Sequence, residues 1–243
     1  MNGASYVRYE LLRNFRNIRF VVASLAYPLV VFFAVAVPNR RGTFDGITFP
    51  LYFMTGMAAV GAMIAVVSAG ARVAADRAAG WTRQLRITPL STGTYFSAKV
   101  LCGYLMALLV IGVMCLSGTT LGVRLSAGQW LTTAGLLLVG LVPLVALGIG
   151  LGHLLTSDSL MPAVGGITVV LAILGGAYGF QVATSGPMFA VIRALPSYWL
   201  VQAGKTALGG TGWPAQAWLV IAAWTVVLVP LAVLAYRRDT SRI

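Results

Sequence analysis

Charge is what this sequence has least of. Only 9% of its 243 residues are Asp, Glu, Lys or Arg, while 59% are apolar. Soluble domains carry about 25% charged and 45–50% apolar residues, so this deficit excludes an ordinary water-soluble enzyme. Histidine occurs once, as His153, and acids occur five times. No carboxylate pair, His/Cys metal cluster or nucleophile-and-base set can be assembled from so few groups. His153, with Asp158 five residues on, reads as a structural group at the end of an apolar stretch. Acids are also absent from the middle of every apolar stretch, where a proton-driven carrier keeps them. The two cysteines, Cys102 and Cys115, share one stretch. Thirteen residues of helix set them about 20 Å apart, which excludes a disulfide between them. Low-complexity tracts, Pro- or Ser-rich linkers and fixed-period repeats are missing too, which leaves residues 1–243 as one domain.

What the sequence has is long apolar runs. Six stand out: Phe20–Val37, Pro50–Ala71, Val100–Leu121, Trp130–Leu155, Leu160–Phe180 and Trp213–Tyr236. Each can cross roughly 30 Å of hydrocarbon as a helix, the first only just. None alternates as a membrane β-strand does. Glycines such as Gly148, Gly150, Gly152, Gly165 and Gly166 fit close helix packing in a membrane. Pro143 lies inside the fourth run and predicts a kink, or two shorter pieces. The expected fold is an all-α integral membrane protein with six transmembrane helices. The start also imitates a signal peptide, with Ala34-Val35-Ala36 as a cleavage-like triplet, but its apolar run is long for one.

Lys and Arg outnumber Asp and Glu by 17 to 5, for a formal net charge of +12. In a soluble protein that excess points to nucleic acid; here the cations sit between apolar runs, where they set orientation. With the N-terminus inside, twelve cations fall in cytoplasmic segments and five outside (Arg40, Arg41, Arg124, Arg193 and Lys205). The positive-inside rule then places both termini in the cytoplasm, with no nucleic-acid role.

Three segments lie outside the spans. In residues 1–19, Val7, Leu11, Phe15 and Ile18 recur at helical spacing beside Arg8, Arg13, Arg16 and Arg19, which predicts an interfacial amphipathic helix. Residues 72–90 carry Arg72, Asp76, Arg77, Gly80, Trp81, Arg83, Gln84, Leu85 and Arg86 before Pro89 stops the helix. Arg77, Trp81, Leu85 and Thr88 share a stripe, so this segment is either a docking helix or a solvated loop; Trp81 is either its anchor or a headgroup-level tryptophan. Residues 181–212 read as two short helices, Pro187–Ala194 and Ser197–Leu208, broken at Leu195-Pro196. A hairpin dipping into the outer leaflet fits them better than a free loop. Gly204-Lys205-Thr206 imitates a phosphate-binding loop, but the position that needs glycine holds Trp199. Any nucleotide must therefore be bound by another chain.

These features resemble the membrane permeases of ABC transporters of the type-2 exporter class, which serve drug, antibiotic, lipid and polysaccharide efflux. Asp76 to Ser91, with Gly80, Leu85 and Thr88-Pro89-Leu90-Ser91, is similar to the family's coupling region, and Lys99 leads into the next span. Leu174-Gly175-Gly176 followed by Leu195-Pro196-Ser197-Tyr198-Trp199 resembles its glycine pair and re-entrant proline motif. Around the coupling glycine this chain has Asp76, Ala78 and Trp81 where the family often has glutamates. The resemblance implies a half-transporter, with a second permease, identical or different, and an ATPase subunit beneath each. ATP and Mg would then be bound by the ATPases and no cofactor by this chain. It also implies a coupling interface of Asp76, Arg77, Gly80, Trp81, Gln84, Leu85 and Pro89, and a gate region of Gly175, Gly176, Leu195, Pro196, Tyr198 and Trp199. A secondary transporter or channel of another six-helix family is the alternative; it needs no ATPase but does need buried ionisable groups.

Overall fold

The computed structural model describes residues 3–16, 18–44, 46–79, 92–208 and 212–240. Helix α1 (Gly3–Phe15) comes first. Helix α2 (Ile18–Val21), a π turn (Val22–Ala26) and α3 (Tyr27–Ala36) follow as a continuous run. A two-stranded hairpin, β1 (Thr43–Phe44) with β2 (Ile47–Thr48), leads into α4 (Phe49–Ala71) and the short α5 (Val73–Ala78). The remaining helices are α6 (Thr92–Thr120), α7 (Ala127–Gly140), α8 (Val142–Leu154), α9 (Ser157–Gly175), α10 (Gly186–Arg193), α11 (Pro196–Leu208) and α12 (Ala215–Thr240).

Among the described residues, five helical segments are long and apolar enough to cross a membrane: Phe49–Ala78, Gly93–Thr120, Ala127–Leu154, Ser157–Gly175 and Ala215–Arg238. The chain is thus an all-α, multi-pass membrane protein. At the first expected span the uninterrupted apolar helix is Ser24–Ala36, shorter than the rest. Together with α2 and the start of the π turn it reaches about 28 Å, near the thickness of the hydrocarbon. The fourth run is broken at Leu141, and Pro143 opens α8, where its missing N–H leaves no helix bond unmade.

Helix α4 is the hub. Of the span it forms, 94% is buried, against 17% for α12 and 28% for α9, so α4 is enclosed by protein rather than lipid. It packs on α3, α6, α8, α9 and α11. Small residues set the tightest of these crossings. A Cβ on Gly148 of α8 would stand 2.5 Å from the Val67 carbonyl oxygen, and one on Gly70 of α4 would stand 2.6 Å from the Ile149 nitrogen. With no solvent to expel between spans, such backbone proximity is the main source of attraction.

Candidate functional site

The described residues hold a buried ionic cluster at one end of the bundle, where α1, α5 and the start of α6 meet. Lys99, on the second turn of α6, is 1% exposed and donates from Nζ to Glu10 Oε1 at 2.5 Å and to Asp76 Oδ2 at 2.6 Å. Glu10 and Asp76 are each 1% exposed as well. Arg13, one helical turn from Glu10, donates from Nη2 to Asp76 Oδ1 at 2.8 Å. Burial works against its guanidinium charge, but the Asp76 and Glu10 carboxylates more than offset this and hold its pKa above the ordinary arginine value. Tyr95, one turn before Lys99, donates its hydroxyl to Asp76 Oδ2 at 3.1 Å, and the ammonium sits 5.4 Å from the Tyr95 ring centroid. Tyr6 lies against Tyr95 with ring centroids 6.2 Å apart. Three elements distant in sequence are therefore joined through two acids and two cations with short, charge-assisted bonds.

This arrangement docks α1 on the protein through a face other than its apolar stripe. Among the described side chains, Tyr6 and Glu10 are fully buried, Val7 and Leu11 are half-buried, and Ile18 is 69% exposed. Burying Glu10 is possible because Lys99 meets it inside; without that partner its desolvation would oppose docking. Taken alone in the sequence, Glu10 carries no signal, and Lys99 is one more orientation-setting cation that follows the coupling region into the next span. The available signal was helical spacing: Tyr6, Glu10 and Arg13 fall on one face of α1, and Tyr95 and Lys99 on one face of α6.

Of the expected coupling residues, Asp76 points into the chain rather than toward a partner. Arg77 reaches the end of α8, donating from Nη1 to the carbonyl oxygens of His153 at 2.9 Å and Gly152 at 3.2 Å. A cation there satisfies terminal carbonyls and complements the negative end of the helix. Gly80, Trp81, Gln84, Leu85 and Pro89 lie outside the described residues. The segment that holds them leaves from α5 and returns to α6, the two elements that Asp76 and Lys99 tie together. The structure thus brings Asp76 and Lys99 together and places Arg77 beside α8.

The expected gate residues gather at the far end of α9. Gly176 has φ +81° and caps α9, with Ala177 N–H bonding Ala172 O at 2.9 Å. This left-handed cap is what glycine permits. The neighbouring Gly175 abuts α11: a Cβ there would lie 2.8 Å from the Ser197 carbonyl oxygen. Tyr52 of α4 donates its hydroxyl to Gly176 O at 2.7 Å. Leu195 ends the turn after α10, and Pro196 begins α11. Trp199 is 5% exposed and donates its indole N–H to Arg193 O at 2.9 Å, while Tyr198 packs edge-on to Trp199 and to Phe189. Helix α11 itself is seated among α4, α7 and α9, with Leu200, Val201 and Ala203 almost wholly buried. Glycine pair and proline motif therefore form one contact region around the ends of α9 and α11.

No protein-family model matches the chain. It is similar to a protein of Bacillus subtilis (strain 168) named "Putative transport permease YvfS", at 26% identity over 192 residues, which is 78% of each chain.

Proposed function

We propose that this chain is the membrane permease subunit of an ATP-driven exporter, with six spans and both termini in the cytoplasm of a bacterial inner membrane. Two permease chains, as a homodimer or heterodimer, would form the path for a hydrophobic or amphipathic cargo such as a drug, antibiotic, lipid or polysaccharide. A separate ATPase subunit would bind ATP and Mg, since this sequence has no phosphate-binding loop. Support for transport comes from the similarity to the Bacillus subtilis protein and from the apolar, multi-span architecture.

The observation that carries the coupling part of this reading is the Glu10–Lys99–Asp76–Arg13 cluster. A push on segment 80–91 needs a stiff body to act upon. The cluster supplies one, because α1, α5 and α6 cannot separate without exposing unpaired charge. Arg77 extends that body to α8, and α4 runs directly into α5, so force applied at one end is delivered to the central helix. At the other end, α4 meets the α9 cap through Tyr52. A displacement of α4 is in this way felt at the glycine pair and at α11, which would form the external re-entrant hairpin with α10.

The test is Trp81→Ala in the complex purified with its ATPase. A buried aromatic anchor at an interface is worth about 2–4 kcal/mol on truncation, a factor of roughly 30 to 1,000 in affinity. The ATPase should be lost from the complex, or its hydrolysis uncoupled from transport, while the permease still inserts. ATPase retention and transport both at wild-type level would remove the docking role, and transport by the purified chain without ATP would remove the whole reading.

A further inference from the structure

The turn between α10 and α11 lies deep along its neighbouring spans. Trp224 of α12, which bonds that turn, stands about 14 Å of helix from Ala215, near the middle of the span Ala215–Arg238. Leu200, on the second turn of α11, meets Gly140 at the middle of the span Ala127–Leu154: a Cβ on Gly140 would stand 2.6 Å from Leu200 Cδ2. Two separate spans therefore put the turn close to the bilayer midplane, roughly 15 Å from either face of the hydrocarbon. A helix that ends there leaves carbonyl oxygens where no water can bond them.

Every carbonyl oxygen from Ala190 to Ala194 nevertheless has a donor. Ala190 O and Val191 O share the Ala194 N–H at 3.1 Å, and Ile192 O accepts from the Leu195 N–H at 3.0 Å. Side chains meet the last two: the Trp199 indole N–H donates to Arg193 O at 2.9 Å, and the Trp224 indole N–H to Ala194 O at 2.7 Å. Trp199 belongs to the hairpin itself, whereas Trp224 reaches in from α12. Tryptophans that anchor to headgroups sit at the membrane–water boundary, so anchoring does not account for one at mid-span. Arg193 makes a second link to α12, donating from Nη2 to Gln216 Oε1 on the first turn of that helix. Its guanidinium lies 5.7 Å from the Phe189 ring centroid and 5.9 Å from that of Trp199. The charge is thus led along aromatic faces toward the outer end of α12 instead of resting at mid-depth.

We infer that Trp224 is a positioning residue: its indole N–H holds the deep end of the α10–α11 hairpin on α12, so that the two move as one unit and the turn stays dry. Without that N–H, Ala194 O must find water at mid-depth, or the hairpin must rise toward the surface. The inference rests on the re-entrant placement of α10 and α11 in the proposed function, and on neither ATP nor the cargo.

The test is the reaction of Ala194→Cys with an impermeant maleimide on intact cells, in the full-length chain with Cys102 and Cys115 replaced by alanine. Gly42→Cys sets the rate for an open position, and Ala62→Cys, buried in α4, the rate for a closed one. With Trp224 present, Ala194→Cys should react near the closed rate. Two changes at position 224 remove the donor: Trp224→Phe, and 3-benzothienylalanine, which keeps the two-ring shape and lacks only the N–H. Each should speed the reaction of Ala194→Cys by roughly 3- to 20-fold, the range set by hydrogen bonds between helices in membranes. Unchanged protection with 3-benzothienylalanine would overturn the inference and leave the re-entrant placement standing. Reaction of Ala194→Cys at the open rate beside an intact Trp224 would overturn the placement, and the inference with it. An equal rise at Ala62→Cys would show that the whole bundle has loosened, which would also remove the positioning role.

Discussion

Replacing Lys99 with methionine tests the ionic cluster most directly. Methionine keeps most of the volume of the lysine stem, so little cavity is opened and the change is chiefly one of charge. What is lost is the cation closest to both buried carboxylates, at 2.5 Å from Glu10 and 2.6 Å from Asp76. Asp76 retains Arg13 at 2.8 Å, whereas the same guanidinium stands 3.6 Å from Glu10. The penalty therefore falls mainly on Glu10 and on the docking of α1. Breaking a buried pair from one side costs about 3–5 kcal/mol, a large part of a total stability of about 5–15 kcal/mol. Hydrogen exchange of the α1 amides in micelles should accelerate by a factor of roughly 150 to 5,000, while amides in the middle of α4 change far less. Adding Glu10→Gln to Lys99→Met removes the buried carboxylate that has lost its closest cation and should restore part of the protection. Unchanged α1 exchange in Lys99→Met, or a double variant worse than the sum of its parts, would refute the reasoning.

Other outcomes follow from the packing and the charge pattern. Gly148→Val places a side chain where Val67 O lies 2.5 Å from the Cβ position, so α4 and α8 must separate; a cost of at least about 1–3 kcal/mol should appear as a lower thermal midpoint in detergent. Tyr52→Phe removes the 2.7 Å donor to Gly176 O, which keeps the Gly179 N–H at 3.3 Å, and should cost about 0.5–1.5 kcal/mol, read in the same melt. For topology, Gly42→Cys and Gly186→Cys should react with an impermeant thiol reagent on intact cells, while Ala79→Cys should react only after permeabilisation; external labelling at 79 would reverse the orientation.

The helices were legible because continuous apolar runs of spanning length have few soluble interpretations. Pro143 and Pro196 were legible as breaks because proline lacks the N–H that a helix interior needs, although Pro162 and Pro230 lie inside α9 and α12 without ending them; Gly175-Gly176 was legible only through the family resemblance. The burial of α4 was not legible. In a chain this apolar, residues facing lipid and residues facing protein are drawn from the same set, so hydrophobicity does not report which helix is central. The ionic cluster was hidden for another reason. Lys99 and Glu10 are 89 positions apart, and each taken alone looks like an ordinary charge near a membrane surface. Only the backbone path that lays α1 across α6 turns them into a pair. Five of the expected coupling residues fall outside the described part of the chain, so the structure bears on Asp76 and Arg77 alone.

The enclosure of α4 has a consequence for biosynthesis. This helix is among the earliest to be made, yet its neighbours α6, α8, α9 and α11 all emerge from the ribosome after it. Until they arrive, the small residues along its sides face lipid with nothing to fill the gaps they leave. The last of the four, α11, docks with Gly204 against Thr55, where even a Cβ would be blocked. The central span must therefore wait in the bilayer until nearly the whole chain has been synthesised before its final neighbour closes over it.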